Sequence, residues 1–322
     1  VLRMRRFDPD AVLANRPYTV EGDFAEDLGR RIARFHAAAQ VQPGGADGLG
    51  YVIASNADHL RALAADLEPK TVNALIERTQ VAFARLAPLL DARGAADQVR
   101  DCHGDLHLGN ILAEGGRAVL FDCIEFNDRL SRIDVLYDLA FLLMDLAYRG
   151  QDAGANRLLN GYLDEAARAF GEAPLTGLAA LPLFLSVRAC VRAHVSAQTG
   201  RRDEARGYLA AAVTHLDPSD ASLTAIGGLS GSGKSTLARR LAPTLGSPPG
   251  AVVLRSDEIR KRLWNVSPTE RLPPQAYAAG QSERVYALML REAERALAGG
   301  RSVVLDAVFL KQGERAAAEA LA

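Results

Sequence analysis

The sequence predicts two domains, the first mostly helical with one β-hairpin and the second an α/β domain with a parallel sheet. Three observations support this: a length of 322 residues, apolar residues at helical spacing before residue 216, and strands that alternate with helices after residue 222. We place the first domain at residues 1–216, a polar linker at 217–222 and the second domain at 223–322.

Helices are predicted on both sides of the hairpin of the first domain. The hairpin is expected at 111–124, around the turn Gly115-Gly116, and a short strand at 1–7. We expect Pro88 to bend or end the helix that contains it. The predicted helices are 23–39, 59–67, 71–90, 134–148, 155–170, 178–198 and 204–215.

The predicted elements of the second domain alternate strictly. Strands are expected at 223–228, in "AVVLRSD" and in "RSVVLDAVF", and helices at 234–245, from 258 onward and at 282–298. Such alternation is typical of a parallel sheet with crossover helices.

Composition argues against several classes of protein. The formal net charge is −1, without the basic surface that nucleic-acid binding requires. Cys102, Cys123 and Cys190 form neither a disulfide framework nor a zinc pattern, and we expect Cys102 and Cys123 to be core thiols. The apolar run 175–187 is too short to span a membrane, contains Pro182 and is ended by Arg188. We therefore expect a cytoplasmic protein, while its oligomeric state stays open.

Both ends of the chain look cut. The sequence starts without Met inside the strand expected at 1–7, and it stops inside a helical pattern without a cap. We expect a fragment at both ends.

A glycine-rich segment, "GLSGSGKS", matches the phosphate-binding pattern G-x-x-x-x-G-K-[ST] between a predicted strand and a predicted helix. Glycines let the backbone wrap around phosphate with its N–H groups inward, and the helix adds its positive end. Lys234 is predicted to reach the β- and γ-phosphates, and Ser235 to offer its hydroxyl to Mg²⁺. The predicted ATP-binding residues are Gly228, Ser230, Gly231, Ser232, Gly233, Lys234, Ser235 and Thr236.

Polar residues follow the other two strands of this domain. Asp257 can accept a proton from a substrate hydroxyl or cap a helix, and Arg260 can hold an anion. Asp306 can orient Mg²⁺, contact substrate or cap the next loop. Residues 222–322 resemble the P-loop small-molecule kinases, near the gluconate kinase, polynucleotide 5′-hydroxyl kinase and zeta-toxin groups. That resemblance implies catalytic roles for Asp257 and Arg260 and a metal role for Asp306.

A second set of polar residues lies in "CHGDLHLGNIL" and after the hairpin. Asp105, Asn110 and Asp122 have the layout of the eukaryotic-like kinase catalytic loop. That layout implies that Asp105 accepts the proton of the attacking hydroxyl and that Asn110 and Asp122 hold Mg²⁺. His103 is expected to fix the loop through backbone hydrogen bonds. The alternative is that these groups only join the hairpin to its neighbours.

The segments "HGDLHLGNIL", "LFDCIEF" and "YDLAFL" look like the kinase-like C-lobe of the aminoglycoside phosphotransferase family, over residues 1–216. The resemblance implies that Asp138 braces the catalytic loop, that the helix with His36 follows the hinge, and that "VLRMRRF" is the hinge strand. A helical stripe of Arg188, Arg192 and His194 either faces substrate or forms a solvated or bracing face, and the second is favoured.

The domain order resembles a bacterial family described as bifunctional aminoglycoside phosphotransferase/ATP-binding proteins. It implies an ATP- and Mg²⁺-dependent kinase that phosphorylates a hydroxyl of a small molecule. Two alternatives stay open: a regulatory or scaffold protein with a non-catalytic kinase-like domain, and a polynucleotide 5′-hydroxyl kinase. The near-neutral charge weighs against the last.

Overall fold

The computed structural model describes residues 8–16 and 20–322, so the strand predicted at 1–7 lies outside the described residues. The first domain is mostly helical, as predicted. Its helices are α1 (Gly22–Ala38), α2 (Ala46–Ala62), α3 (Ala64–Leu67), α4 (Pro69–Ala95), α5 (Asp128–Ser131), α6 (Val135–Tyr148), α7 (Asp152–Phe170), α8 (Ala173–Thr176), α9 (Leu181–Gln198) and α10 (Arg202–His215).

Two small antiparallel sheets lie among these helices. The predicted hairpin is present as β2 (Ile111–Glu114) and β3 (Arg117–Leu120), joined by two glycines with φ of 58° and 74°. A second sheet, which was not predicted, pairs β1 (Val99–Asp101) with β4 (Arg132–Asp134). Each of its strands has only three residues, too few to show an alternating pattern.

Two helix predictions are wrong in extent. Pro88 does not end its helix, because α4 continues to Ala95 with Leu86, Leu90 and Arg93 all buried on both sides of the proline. Packing of that face outweighs the lost hydrogen bond. Helix α2 begins at Ala46 and not near residue 59, since two glycines at 48 and 50 weaken its helical pattern in the sequence.

The core of the first domain is built around α6. Every residue from Val135 to Leu146 is buried, so this helix is enclosed on all sides and packs between α7 and α9. Among the described residues, the segment Ala173–Gln198 is long and apolar enough to cross a membrane by length and composition. An 18-residue window of this segment has a mean hydropathy of 1.6, and 78% of the window is buried within the protein.

The second domain contains a parallel sheet in the order β5 (Leu223–Ile226), β7 (Val303–Asp306), β6 (Val252–Arg255). Asp306 stands opposite Ile226 on one side and Arg255 on the other, so the three strands end level at their carboxyl ends. Ligands bind at this edge of an open α/β sheet. The helices are α11 (Lys234–Leu241), α12 (Ser256–Leu263), α13 (Ala279–Ala298) and α14 (Gln312–Leu321).

The two domains share an interface made by α1 and α7 on one side and the second domain on the other. One cluster of buried apolar residues extends through both domains. Asn156 Nδ2 donates to Ala251 O at 2.9 Å, and Asn160 Oδ1 accepts from Val253 N at 2.6 Å. The two asparagines of α7 therefore satisfy backbone groups at the outer edge of β6.

Candidate active sites

The loop at 102–112 is anchored by Asp138, which is fully buried in the first turn of α6. Asp138 Oδ1 accepts from Gly104 N at 2.8 Å, and Oδ2 accepts from His103 N at 3.1 Å. Because both bonds go to backbone N–H groups of the residues before Asp105, they fix the conformation of the loop. Gly104 has φ of 83°, in the left-handed region that favours glycine.

A buried cation and a buried imidazole complete this brace. Arg188 donates to Gly104 O at 3.0 Å and lies 3.8 Å from Asp138 Oδ1. His36 Nε2 lies 3.0 Å from Asp138 Oδ2. Burial raises the pKa of Asp138, but the hydrogen bond and charge of His36, then the charge of Arg188, outweigh burial and lower it overall. Asp138 therefore stays ionised inside the protein.

His36, Cys102 and Asp138 offer three potential metal ligands whose atoms all lie within 4.8 Å of one another. These atoms are already engaged: the imidazole and carboxylate bind each other, and Cys102 Sγ donates to Ile133 O at 3.4 Å. Burial raises the pKa of the Cys102 thiol well above its ordinary value, which disfavours a thiolate ligand. We assign this cluster to bracing.

Asp105 follows directly on the fixed backbone. Its Oδ2 accepts from Asn110 Nδ2 at 2.9 Å and lies 3.3 Å from His107 Nε2. The side chain is 39% exposed, so it is held in place and open to solvent at once. Burial raises the pKa of Asp105, but hydrogen bonding to His107, the charges of His107 and Arg188, and the bond from Asn110 lower it overall.

The two candidate metal ligands of this domain lie on either side of the hairpin. The backbone carbonyl of Asn110 accepts from Phe121 N at 3.1 Å, and His103 Nε2 donates to Phe121 O at 2.8 Å. These bonds fix the residue before Asp122, which is exposed and has φ of 60°. The Asn110 amide nitrogen is used by Asp105, so its oxygen is the atom left for a cation. An amide oxygen and an exposed carboxylate suit Mg²⁺ chemically.

The glycine-rich segment forms a tight loop between β5 and α11. Gly231 and Gly233 have φ of 80° and 85°, which explains glycine at both positions. Lys234 Nζ donates to Leu229 O at 3.3 Å, so its ammonium group folds back over the loop. The predicted loop residues Ser230 and Ser232 are exposed, and Ser235 and Thr236 lie in the first turn of α11.

Asp306 lies at the carboxyl end of the central strand β7 and is 3% exposed. Its Oδ2 accepts from Arg255 Nε at 3.2 Å, whereas its Oδ1 is buried without a hydrogen-bond partner among the described residues. A buried carboxylate oxygen without a partner is costly in the free protein. The residue therefore fits a role in holding Mg²⁺ or one of its water ligands beside the glycine-rich loop.

Asp257 and Arg260 do not share one open site. Asp257 lies in the first turn of α12, 46% exposed, with its carboxylate 3.4 Å from Lys261 Nζ. Arg260 is 7% exposed and donates to Ala276 O at 2.6 Å. The anion-binding role predicted for Arg260 is not supported by this position, because α12 begins at Ser256 and turns residue 260 inward beside Ile259.

Residues 4–176, more than half of the chain, match the phosphotransferase enzyme family. The chain belongs to that family. Residues 223–322 match a second family, described as an AAA domain, which agrees with a P-loop domain after the phosphotransferase domain.

Curated relatives match part of the phosphotransferase chain. Uncharacterized proteins of Mycobacterium tuberculosis and Mycobacterium bovis are 36% identical over 169 residues, which is 51% of this chain and 32% of each relative. The chain thus matches about a third of the length of these relatives. Two crystal forms of a glucosamine kinase align at 22% identity with TM-scores of 0.42 and 0.41, covering 63% and 64% of this chain and 57% and 54% of theirs.

Three features of these sites were not predicted correctly or completely from the sequence. The contact between His36 and Asp138 joins residues 102 positions apart, and no local spacing reveals it. Of the roles left open for Arg188, the structure supports bracing, because its guanidinium group is buried against Gly104. Cys123 is exposed and not a core thiol, because β3 ends at Leu120 and leaves it in a loop. A buried Arg in an apolar helix was the available signal for a brace.

Proposed function

We propose that this protein is an ATP- and Mg²⁺-dependent kinase that transfers the γ-phosphate to a hydroxyl of a small molecule. The observation that carries the proposal is the 2.9 Å contact between Asp105 and Asn110 on a loop whose backbone is anchored to buried Asp138. An oriented carboxylate beside an amide oxygen is the arrangement that phosphoryl transfer needs.

In this proposal Asp105 is the base of the phosphotransferase domain. Its lowered pKa keeps it ionised at neutral pH, so it accepts a hydrogen bond from the acceptor hydroxyl. It takes the proton as the new P–O bond to the acceptor forms and the bond from the γ-phosphorus to the leaving ADP breaks. Asn110 and Asp122 hold Mg²⁺, which neutralises charge on the phosphates when bound.

The P-loop domain is proposed as a second Mg·ATP site. Backbone N–H groups of the loop and Lys234 bind the phosphates, while Ser235 and Asp306 bind the cation or its waters. Asp257 is the proposed base here, because its exposed carboxylate lies just after the end of β6 at the ligand-binding edge.

The partner proposed for both centres is a small hydroxylated molecule in the cytoplasm. The formal net charge of −1 favours a small acceptor over an oligonucleotide. This separates the proposal from a polynucleotide 5′-hydroxyl kinase.

Two single substitutions test the proposal in the full-length protein. Phosphate transfer is screened over sugars, aminoglycosides, nucleosides and oligonucleotides, and then measured for Asp105→Asn and Lys234→Ala. Removing a general base typically lowers turnover by about 10²–10⁴-fold. We expect Asp105→Asn to lower the turnover of the phosphotransferase domain by this factor. Asp101→Asn is the matched control, since Asp101 is 40% exposed on the preceding strand, against 39% for Asp105.

The outcomes separate the candidate functions. Loss in both variants, with the control unchanged, supports two catalytic centres. If Asp105→Asn changes neither turnover nor Mg·ATP affinity while Lys234→Ala abolishes both, the phosphotransferase domain is a scaffold. Turnover restricted to oligonucleotides would favour a polynucleotide kinase, and no turnover with any acceptor would defeat the enzyme proposal.

A further inference from the structure

We propose that Arg30 and Glu26, on helix α1 of the phosphotransferase domain, are positioning residues of the P-loop centre. This inference rests on the proposed Mg·ATP site of the P-loop domain and adds to it two residues from the other domain. It implies that the P-loop centre reaches its full affinity for Mg·ATP only with α1 in place.

The first link is Arg255, at the end of β6. Its guanidinium is shared, with Nε donating to Asp306 Oδ2 at 3.2 Å and Nη1 donating to Glu258 Oε1 at 2.8 Å. Asp306 is the proposed cation-binding carboxylate, so the position of Arg255 sets the orientation of Asp306. The strength of the hydrogen bond from Arg255 to Asp306 depends on which other cations pair with Glu258.

The second link crosses the domain boundary. Glu258 Oε2 is buried, has no hydrogen-bond partner among the described residues, and has Arg30 Nη2 as an ion-pair partner at 3.9 Å. Arg30 is itself held on its own side by Glu26 at 2.8 Å and Asp164 at 3.4 Å. A cation of the phosphotransferase domain thus balances one oxygen of Glu258 while Arg255 takes the other.

The third link returns to the glycine-rich loop. Glu26 also pairs with Arg239 Nη2 at 3.1 Å, and Arg239 lies on α11, one turn after Ser235. Burial raises the pKa of Glu26, but the charges of Arg30, Arg239 and Arg157 outweigh it, so the carboxylate stays ionised between them. One pair of residues on α1 therefore contacts both sides of the P-loop centre.

Removing the charge of Arg30 leaves Arg255 as the strongest cation acting on Glu258, with a weaker attraction from Lys261 and repulsion from Asp164. Both oxygens of Glu258 then compete for Arg255, which withdraws from Asp306 and leaves that carboxylate without a fixed orientation. A disordered ligand binds a cation less well than a fixed one. The expected consequence is a higher Mg²⁺ requirement at the P-loop centre, beyond any general loss of stability.

The test compares Arg30→Met with Arg31→Met, its neighbour on α1. Arg31 pairs with Asp27 at 2.6 Å on the surface, so it controls for loss of an arginine from the same helix. ATP binding is measured at a fixed ATP concentration while Mg²⁺ is titrated. The part of this binding that is lost in Lys234→Ala is assigned to the P-loop centre. We expect the half-saturating Mg²⁺ concentration to rise about three- to tenfold in Arg30→Met, with partial recovery in Arg30→Lys and no change in Arg31→Met.

A double-mutant cycle tests the contact at Glu26. The effects of Glu26→Gln and Arg239→Met on ATP affinity should be less than additive, because each removes the same pair. Equal Mg²⁺ requirements in Arg30→Met and Arg31→Met, or full additivity in the cycle, would overturn the proposal.

A readout without nucleotide separates this inference from the proposed function. Amide hydrogen exchange in α11 and at the end of β7 should be faster in Arg30→Met than in Arg31→Met. If the parent protein does not bind Mg·ATP, the P-loop function fails, and equal exchange in the two variants would then reject the positioning role as well.

Discussion

Replacing Asp138 by Asn tests the brace beneath the proposed catalytic loop. The change keeps the shape of the side chain but removes its charge and turns one acceptor into a donor. Asp138 Oδ2 accepts from His103 N and faces His36, while Oδ1 accepts from Gly104 N. With the amide oxygen at the Oδ2 position, the new NH₂ group faces the Gly104 N–H, and two donors oppose each other.

The magnitude follows from complete burial. A buried donor left without a partner costs about 1–3 kcal/mol, and two are created here. Arg188 also loses its nearest carboxylate, at 3.8 Å. Breaking a buried charge pair by removing one partner costs about 3–5 kcal/mol, so we expect Asp138→Asn to lower the free energy of unfolding by roughly that amount.

Urea unfolding followed by far-UV circular dichroism measures this loss. Asp128→Asn is the control, because Asp128 pairs with Arg132 at 2.9 Å on the surface and such pairs contribute about 0–1 kcal/mol. Turnover that depends on Asp105 should fall along with stability, since Gly104 loses its anchor. A loss below about 1 kcal/mol with parental turnover would refute the bracing role.

Three further predictions concern stability. Burial, with a smaller effect of Arg301, lowers the pKa of His215 to about 4, so the neutral form is favoured on folding. As pH drops from about 6.5 to 4, His215 should contribute about 3 kcal/mol to the loss of stability, and His215→Leu should reduce the slope of pH-dependent melting by that share. Asn160→Leu should cost about 1–3 kcal/mol in urea unfolding, because Val253 N loses its acceptor. Gly161→Ala should lower the melting temperature, since a Cβ there overlaps Glu26 O where α1 crosses α7, while Gly48→Ala, facing open space, should not.

Local patterns in the sequence predicted the elements but not their long-range contacts. The P-loop was predictable because its conformation depends on adjacent glycines such as Gly231 and Gly233, whose positive φ is a local property. The extent of α4 was not, since packing around Pro88 decides it. Periodicity identified the helices of the first domain correctly where one face is buried and the other exposed, as in α1.

In the candidate sites, too, local contacts were predictable from the sequence and long-range contacts were not. Asp105 and Asn110 are five positions apart, and their contact follows from the loop motif. The position of Arg260 depends on where α12 starts, and a shift of two residues turns the side chain from the open edge to the interior. Arg255, which links Asp306 to Glu258, carries no motif, because its role exists only once strands from distant parts of the chain are adjacent.

The hydrogen bonds from Asn156 and Asn160 of α7 to the outer edge of β6 matter when the second domain is expressed alone. An uncovered outer strand can pair with another chain and start aggregation. A C-terminal piece expressed from residue 222 onward lacks Asn156 and Asn160, so the amide and carbonyl groups of Val253 and Ala251 lose their partners. We expect such a piece to self-associate through β6, and the phosphotransferase domain to act as its intramolecular solubility partner.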